Sequence, residues 1–299
     1  MTASKTKTTL NEKSVGALMK KAAKVLMDAG IENSQAESRH LMCFFLDKDI
    51  AEIYANLNEI LDDVTAMRYM KAVRKRATHY PLQYIVGYTY FLEYIFQCRE
   101  NVLIPRYDTE GLVLKAMEMA PARNINVLDL CTGSGCIGIS YYLMRKDDGF
   151  DDIVTLSDIS EDALELAKLN AKKLNASIDI VKSDLFESLA DEKGRPIKKY
   201  DMILSNPPYI RTADINWLMK DVRDFEPRLA LDGSRDGLKF YREIVSRAPE
   251  FLTEDGRLIM EIGSEQYMDV ADMMRKAGFK GVYKLKDMSG LDRVIYGVL

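Results

Sequence analysis

Between Ser14 and His79 apolar residues recur at three- and four-residue spacing. Val15, Leu18, Met19, Ala22 and Leu26 form one such stripe, with Gly30 placed just past its end, which predicts an amphipathic helix closed by a glycine. Ser34-Gln35-Ala36-Glu37 reads as a capping box ahead of the apolar run Leu41 to Leu46. A third helix is expected over Ile50 to Leu57. A fourth is expected over Val64 to Thr78, with Met67, Met70, Ala72 and Val73 turned inward. Helices this short must pack together to be stable, so residues 14–80 are expected to form a small all-helical domain. The polar stretch 1–13, rich in Thr and Lys, is expected to be a flexible tail.

The pattern changes at Pro81. Tyr84 to Tyr88 and Phe91 to Phe96 are aromatic and β-branched around Gly87, which predicts a β-hairpin linker over 81–105, ending in Val102-Leu103-Ile104-Pro105. Beyond it, over 106–299, strands alternate with helices. Strands are expected at Asn126–Leu130, Ile153–Ser157, Ile178–Val181, Asp201–Leu204, Arg257–Glu261, Gly281–Lys284 and Arg293–Tyr296. The clearest helices between them are Glu161–Leu174 and Ser264–Ala277. Such alternation predicts an α/β, Rossmann-like parallel sheet with crossover helices, and the short link before the final strand allows it to run antiparallel.

Composition narrows the function. An apolar fraction of 47% with 29% charged residues is that of an ordinary globular protein. No run approaches the roughly 18 apolar residues of a membrane span, and nothing resembles a signal peptide, so the cytoplasm is the expected compartment. Cys43, Cys98, Cys131 and Cys136 lack paired spacing and His40 and His79 lie far apart, which argues against a metal site. Residues 1–80 carry 13 basic and 10 acidic side chains and the remainder 29 and 36, so the α/β part is acidic. That argues against a direct nucleic-acid substrate. The cluster Lys71, Arg74, Lys75, Arg76 reads as a solvated helix face, with docking of an RNA or an acidic partner as its other reading.

Two segments carry chemistry. Asp129-Leu130-Cys131-Thr132-Gly133-Ser134-Gly135-Cys136-Ile137-Gly138 is a glycine-rich strand-to-helix turn that permits close backbone approach to a ligand. Asp129 can order that loop, and Asp158, ending the next strand, can grip both hydroxyls of a ribose. Asp184 can accept from an adenine amino group while Leu185 covers the ring; its other reading is a helix cap. These features fit a dinucleotide or S-adenosylmethionine. Ser205-Asn206-Pro207-Pro208-Tyr209 selects the second, because it suits a planar nitrogen nucleophile. The Asn206 oxygen and the Pro207 carbonyl can each accept a hydrogen bond from an NH₂ group, Tyr209 can stack on it, and the prolines stiffen the turn.

With these motifs in place, the chain resembles the peptide chain release factor N5-glutamine methyltransferases (the HemK/PrmC family) over nearly its whole length. Further matching stretches are Leu103-Ile104-Pro105-Arg106-Tyr107-Asp108-Thr109-Glu110, Asp221-Val222-Arg223, Phe225-Glu226-Pro227, Leu229-Ala230-Leu231, Asp236-Gly237 and Asp292-Arg293-Val294. The resemblance implies a seven-stranded methyltransferase sheet, a helical domain that helps grip a class-1 release factor, and S-adenosyl-L-methionine as donor with no metal. It implies methylation of the glutamine in the Gly-Gly-Gln loop. It places the donor site at Cys131, Thr132, Gly133, Ser134, Gly135, Asp158, Asp184, Leu185 and Asn206, and the amide at Asn206, Pro207, Pro208 and Tyr209. A monomer is expected. Tyr107 stands where the family usually has proline, which predicts a looser loop. The sequence leaves two other substrates to weigh: an adenine amino group of a nucleic acid, and a glutamine of a ribosomal protein. A non-catalytic binding protein is a third class.

Overall fold

The computed structural model describes residues 12–299, and most of the tail expected over 1–13 lies outside them. The chain divides into two compact units. One runs through Gly87 and takes in Lys220–Phe225; the other comprises Tyr88–Met219 and Glu226–Leu299.

The first unit is helical: α1 (Val15–Asp28), α2 (Ser34–Leu46), α3 (Ile50–Ala55), α4 (Asp63–Arg76), α5 (Leu82–Val86) and the late segment α9 (Lys220–Phe225). The α1 stripe is buried as expected, at Val15, Leu18, Met19, Ala22 and Leu26. Two local expectations are corrected. Helix α2 starts at Ser34 with Asn33 as its cap and no capping box, because the Glu37 carboxylate is held by the Arg76 guanidinium at 2.5 and 3.0 Å. The capping box of this unit belongs to α3, between Asp49 and Glu52. On α4 the buried face is Ala66, Tyr69, Met70, Ala72, Val73 and Arg76, so Met67 lies off the stripe and is 61% exposed.

The expected linker is also corrected. Leu82–Val86 is helical, and Gly87 closes it at φ 85° in the left-handed region. Only β1 (Tyr88–Phe91) and β2 (Tyr94–Gln97) form the hairpin. The unit boundary therefore falls at 87/88, inside the expected linker, and the hairpin belongs to the α/β unit. Its Phe91 and Phe96 are fully buried in that unit's core.

In the second unit the sheet has seven strands in the order β5-β4-β3-β6-β7-β9-β8. These are β3 (Asn126–Leu130), β4 (Ile153–Asp158), β5 (Asp179–Lys182), β6 (Tyr200–Ser205), β7 (Leu252–Glu261), β8 (Lys280–Lys286) and β9 (Asp292–Val298). The first five in this order pair in parallel; β9 runs antiparallel to both neighbours, as its short approach from β8 allowed. Side chains alternate between two cores. Ile203, Leu258 and Met260 enter one with α10 (Lys239–Phe251) and α11 (Tyr267–Lys276). Met202, Leu204 and Ile259 enter the other with α6 (Glu110–Met119), α7 (Cys136–Asp147), α8 (Glu161–Lys173) and the hairpin. No described helix is long and apolar enough to cross a membrane.

Behind the sheet a buried ion pair ties α7 to β4. Arg145 Nε donates to Asp152 Oδ2 at 2.7 Å, where the two side chains are 4% and 0% exposed. Asp152 also accepts from the Tyr141 hydroxyl and the Ile125 amide. Replacing Asp152 by Ala leaves the Arg145 charge buried and uncompensated. We expect urea denaturation to show a loss of about 3–5 kcal/mol; a loss within 1 kcal/mol would mean that water reaches this pair.

Candidate active site

The order β4-β3-β6 reverses direction around β3, and in such sheets ligands bind beyond the carboxyl ends of the strands at the reversal. One cavity lies there, wholly within the α/β unit. From β3 it is lined by Leu130, Cys131, Thr132, Gly133 and Ser134, from β4 by Ser157 and Asp158, from β5 by Asp184 and Leu185, and from β6 by Asn206 and Pro208. Gly135, Pro207 and Tyr209 do not line it. Ile104, Arg106, Thr109, Leu229 and Phe240 are among the other residues of its wall.

The glycine turn is built by close approach. A Cβ on Gly138 would sit 2.3 Å from Leu156 Cδ2 and 3.1 Å from Asp129 Cβ. With no Cβ there, the Gly138 amide reaches Asp129 Oδ2 at 3.0 Å, and the Thr132 hydroxyl donates to the same oxygen at 2.6 Å. Asp129 thus orders the loop from beneath, fully buried. Gly135 takes φ 82° as the residue before α7, and Cys131 is held at φ 58°, a left-handed conformation that a cysteine adopts only under constraint. Burial pushes the thiols of Cys131 and Cys136 well above their ordinary range, so neither is a thiolate nucleophile at neutral pH.

Asp158 accepts from the Gly133 amide through Oδ2 and from the Ser160 amide through Oδ1, both at 2.9 Å. Each carboxylate oxygen keeps a second acceptor site, so these bonds fix its direction without closing it to a diol. Burial raises its pKa against those two bonds. At the end of β5 it is Ser183 that accepts from the Ser188 amide, at 2.9 Å, while Asp184 borders the cavity beside Leu185, itself at φ 44°.

Asn206 and Tyr209 are held by one hydrogen-bond network that runs through Thr109 and Glu261. Asn206 Nδ2 donates to Thr109 Oγ1 at 3.3 Å, and Thr109 Oγ1 donates to Glu261 Oε2 at 2.6 Å. The Tyr209 hydroxyl donates to Glu261 Oε1 at 3.0 Å, with Arg293 Nη1 3.5 Å from the same hydroxyl. The Tyr209 hydroxyl is thus engaged by Glu261, and the residue is not among those that line the cavity. No described donor bonds the Pro207 carbonyl. The backbone beyond is fixed by Gln266, whose Nε2 donates to Tyr209 O and Gly237 O at 3.0 and 3.1 Å.

Sequence reasoning missed Glu261, Gln266 and the pairing of Arg106 with the buried Glu226 at 2.5 Å. Glu261 had a signal: an acid ending the apolar run Leu258-Ile259-Met260, as Asp158 ends its own strand. No spacing announces Gln266. Among the described residues no group of three or more His, Cys, Asp or Glu side chains is placed to hold a metal ion.

Comparison with known proteins adds to this geometry. Residues 17–87 match the PrmC N-terminal domain, and residues 108–222 match the methyltransferase small domain. The chain is 38% identical over 272 residues to a release factor glutamine methyltransferase of Geobacter sulfurreducens, covering 91% of this chain and 92% of the relative. It is 36% identical over 281 residues to one of Clostridium acetobutylicum, covering 93% and 96%. A 16S rRNA N2-guanosine methyltransferase of T. thermophilus, solved with AdoMet and guanosine, aligns at TM-score 0.50 and 15% identity over 71% of this chain and 49% of that one, a likeness of fold.

Burial pushes Asp129 up to about 7, against the two hydrogen bonds that favour its ionised form. The folded group therefore binds its proton more tightly than the unfolded one, whose ordinary value is 3.8. Its stabilising contribution is full below the unfolded value and is lost as pH rises through 7. Unfolding free energies of wild type and Asp129→Asn, measured from pH 4 to 8, should diverge across that window. A pH-independent difference would mean the carboxyl titrates at its ordinary value.

Proposed function

The chain belongs to the release factor glutamine methyltransferases, and on that premise we propose that it methylates the side-chain amide nitrogen of the glutamine in the Gly-Gly-Gln loop of class-1 release factors. S-adenosyl-L-methionine, when bound, supplies an electrophilic methyl group on a sulfonium.

The residues around the cavity fit that donor. Two carboxylates, Asp158 and Asp184, stand at adjacent strand ends with spare acceptor capacity, as a ribose and an adenine amino group require. The turn Cys131–Gly135 offers backbone at the distance that bulkier residues would fill. Arg106, fixed by Glu226, brings a cation to the cavity wall.

The observation that carries the acceptor half is the tethering of Asn206. Its NH₂ is bound by Thr109, so its oxygen is the end left for a substrate. That oxygen and the Pro207 carbonyl form a pair of acceptors for the two N–H groups of a primary amide. An amide nitrogen attacks poorly because its lone pair is delocalised. Holding both N–H groups fixes the lone pair toward the methyl and favours the positive charge that the nitrogen gains as the new N–C bond forms. The proton leaves afterwards without a strong base, because the charged amide is a strong acid. We assign the helical unit to gripping the release factor, and place the enzyme in the cytoplasm as a monomer that needs no metal.

Incubation of a release factor with this protein and S-adenosylmethionine, followed by fragment mass spectrometry, should place one methyl on the Gly-Gly-Gln glutamine. Methyl appearing instead on a ribosomal protein or on adenine in parallel reactions would reassign the substrate. Asn206→Ala should lower turnover by about 10²–10³-fold while donor affinity stays within a few-fold. Unchanged turnover in that variant would remove Asn206 from the mechanism.

A further inference from the structure

An Asn side chain has two ends of opposite polarity, and only one orientation presents an acceptor to the cavity. The hydrogen-bond partners of Asn206 decide which. Glu261 ends β7 one position beyond Met260, the register partner of Ser205, so its carboxylate lies level with Asn206 and is buried. It receives Thr109 Oγ1 at 2.6 Å and the Tyr209 hydroxyl at 3.0 Å. A carboxylate has only acceptors, so each hydroxyl must direct its single proton onto it. Thr109 is then left with lone pairs alone, and those face Asn206. The NH₂ half of the amide is the only half that can bond there, and Oδ1 is turned to the opposite side. This holds from the proton inventory, whichever way the amide nitrogen and oxygen are assigned.

We propose that Glu261, acting through Thr109, is the positioning residue that fixes the Asn206 amide with its oxygen toward the substrate, and so makes the site accept an NH₂ group in preference to a carbonyl or carboxylate. The identity of the nucleophile rests on the function proposed above. Burial raises the pKa of Glu261, and the hydrogen bonds from Thr109 and Tyr209, together with the charge of Arg293 beside the Tyr209 hydroxyl, oppose that and favour its ionised state. A glutamine at 261 carries one acceptor and one donor, so one of the two hydroxyls is met by a donor instead. When that hydroxyl is Thr109, its proton passes to Asn206, the amide reverses, and its NH₂ confronts the substrate's own.

The test uses the full-length enzyme with S-adenosylmethionine and a release factor. Thr109→Val removes the relay and keeps the shape, Thr109→Ser restores the hydroxyl, and Glu261→Gln keeps the volume and removes the charge. Thr109→Val should lose about 100-fold in kcat with KM and donor Kd little changed, Glu261→Gln should lose up to as much, and Thr109→Ser should recover most of the loss. Wild-type kcat in Thr109→Val overturns the proposal, as does an equal loss in the Ser and Val variants, which marks a packing role. A second readout does not depend on turnover: the Asn206 side-chain NH₂ signal in ¹⁵N-asparagine-labelled protein should move to the position of an unbonded amide in Thr109→Val. If the wild type leaves the release-factor glutamine unmethylated, the proposed function fails while this signal still judges the relay, and an unmoved signal overturns it.

Discussion

The site depends on a missing methyl group. Helix α7 meets the sheet at Gly138, where any Cβ would overlap Leu156, and the contact lets one backbone amide reach Asp129. That carboxylate, fully buried, is what the turn Cys131–Gly135 is hung from. Thr132 adds a second bond to it, and Asn170 fastens the far side of the turn by donating to Ser134 O at 2.9 Å. The same Asn170 accepts from the Gln97 amide, so the hairpin is keyed to the turn as well. A close approach of this kind is rigid, because packed interiors have little free volume to yield. The cavity inherits its shape from that rigidity.

A second regularity is electrostatic. Asp129, Asp158 and Glu261 all lie at or near strand ends, the first and last buried and Asp158 half-buried, and desolvation disfavours the charge of each. Their hydrogen bonds and Arg293 offset part of that cost, and of the three only Asp158 lines the cavity itself. A partly desolvated carboxylate there favours a ligand bearing positive charge, since it gains when a cation approaches through low dielectric. A sulfonium is a cation of that kind with no proton to lose.

Most of the α/β unit was legible because parallel strands buried on both faces read as short apolar runs that end in a functional residue. Leu128 to Asp129, Met202 to Asn206 and Leu258 to Glu261 share that grammar. The helical unit was legible in outline and misread in detail where one side chain had two possible partners. Glu37 suits a capping box by spacing, yet a buried guanidinium is the stronger claimant, since leaving Arg76 unpaired costs more than leaving a helix end to water. Tyr84 to Val86 have strand-forming side chains, but Gly87 closes a helical turn instead; propensity over so short a run yields to tertiary context. Contacts between residues far apart in sequence, such as Thr109 with Glu261, have no spacing rule and could only be found in three dimensions.

The helical unit has one further property. Its last element, α9, comes from far downstream: Asp221 lies 3.7 Å from Arg76, and the Phe225 ring meets Tyr80 edge-on at 5.3 Å. On a translating ribosome, helices α1 to α5 emerge early and Arg76 finds Glu37 at once. Asp221 and Phe225 follow only after the chain has threaded most of the parallel sheet, a delay on the order of ten seconds at ordinary elongation rates. The nascent helical unit therefore waits with one aromatic face uncovered while the slower, long-range sheet takes form. Its completion is timed by the synthesis of the other unit.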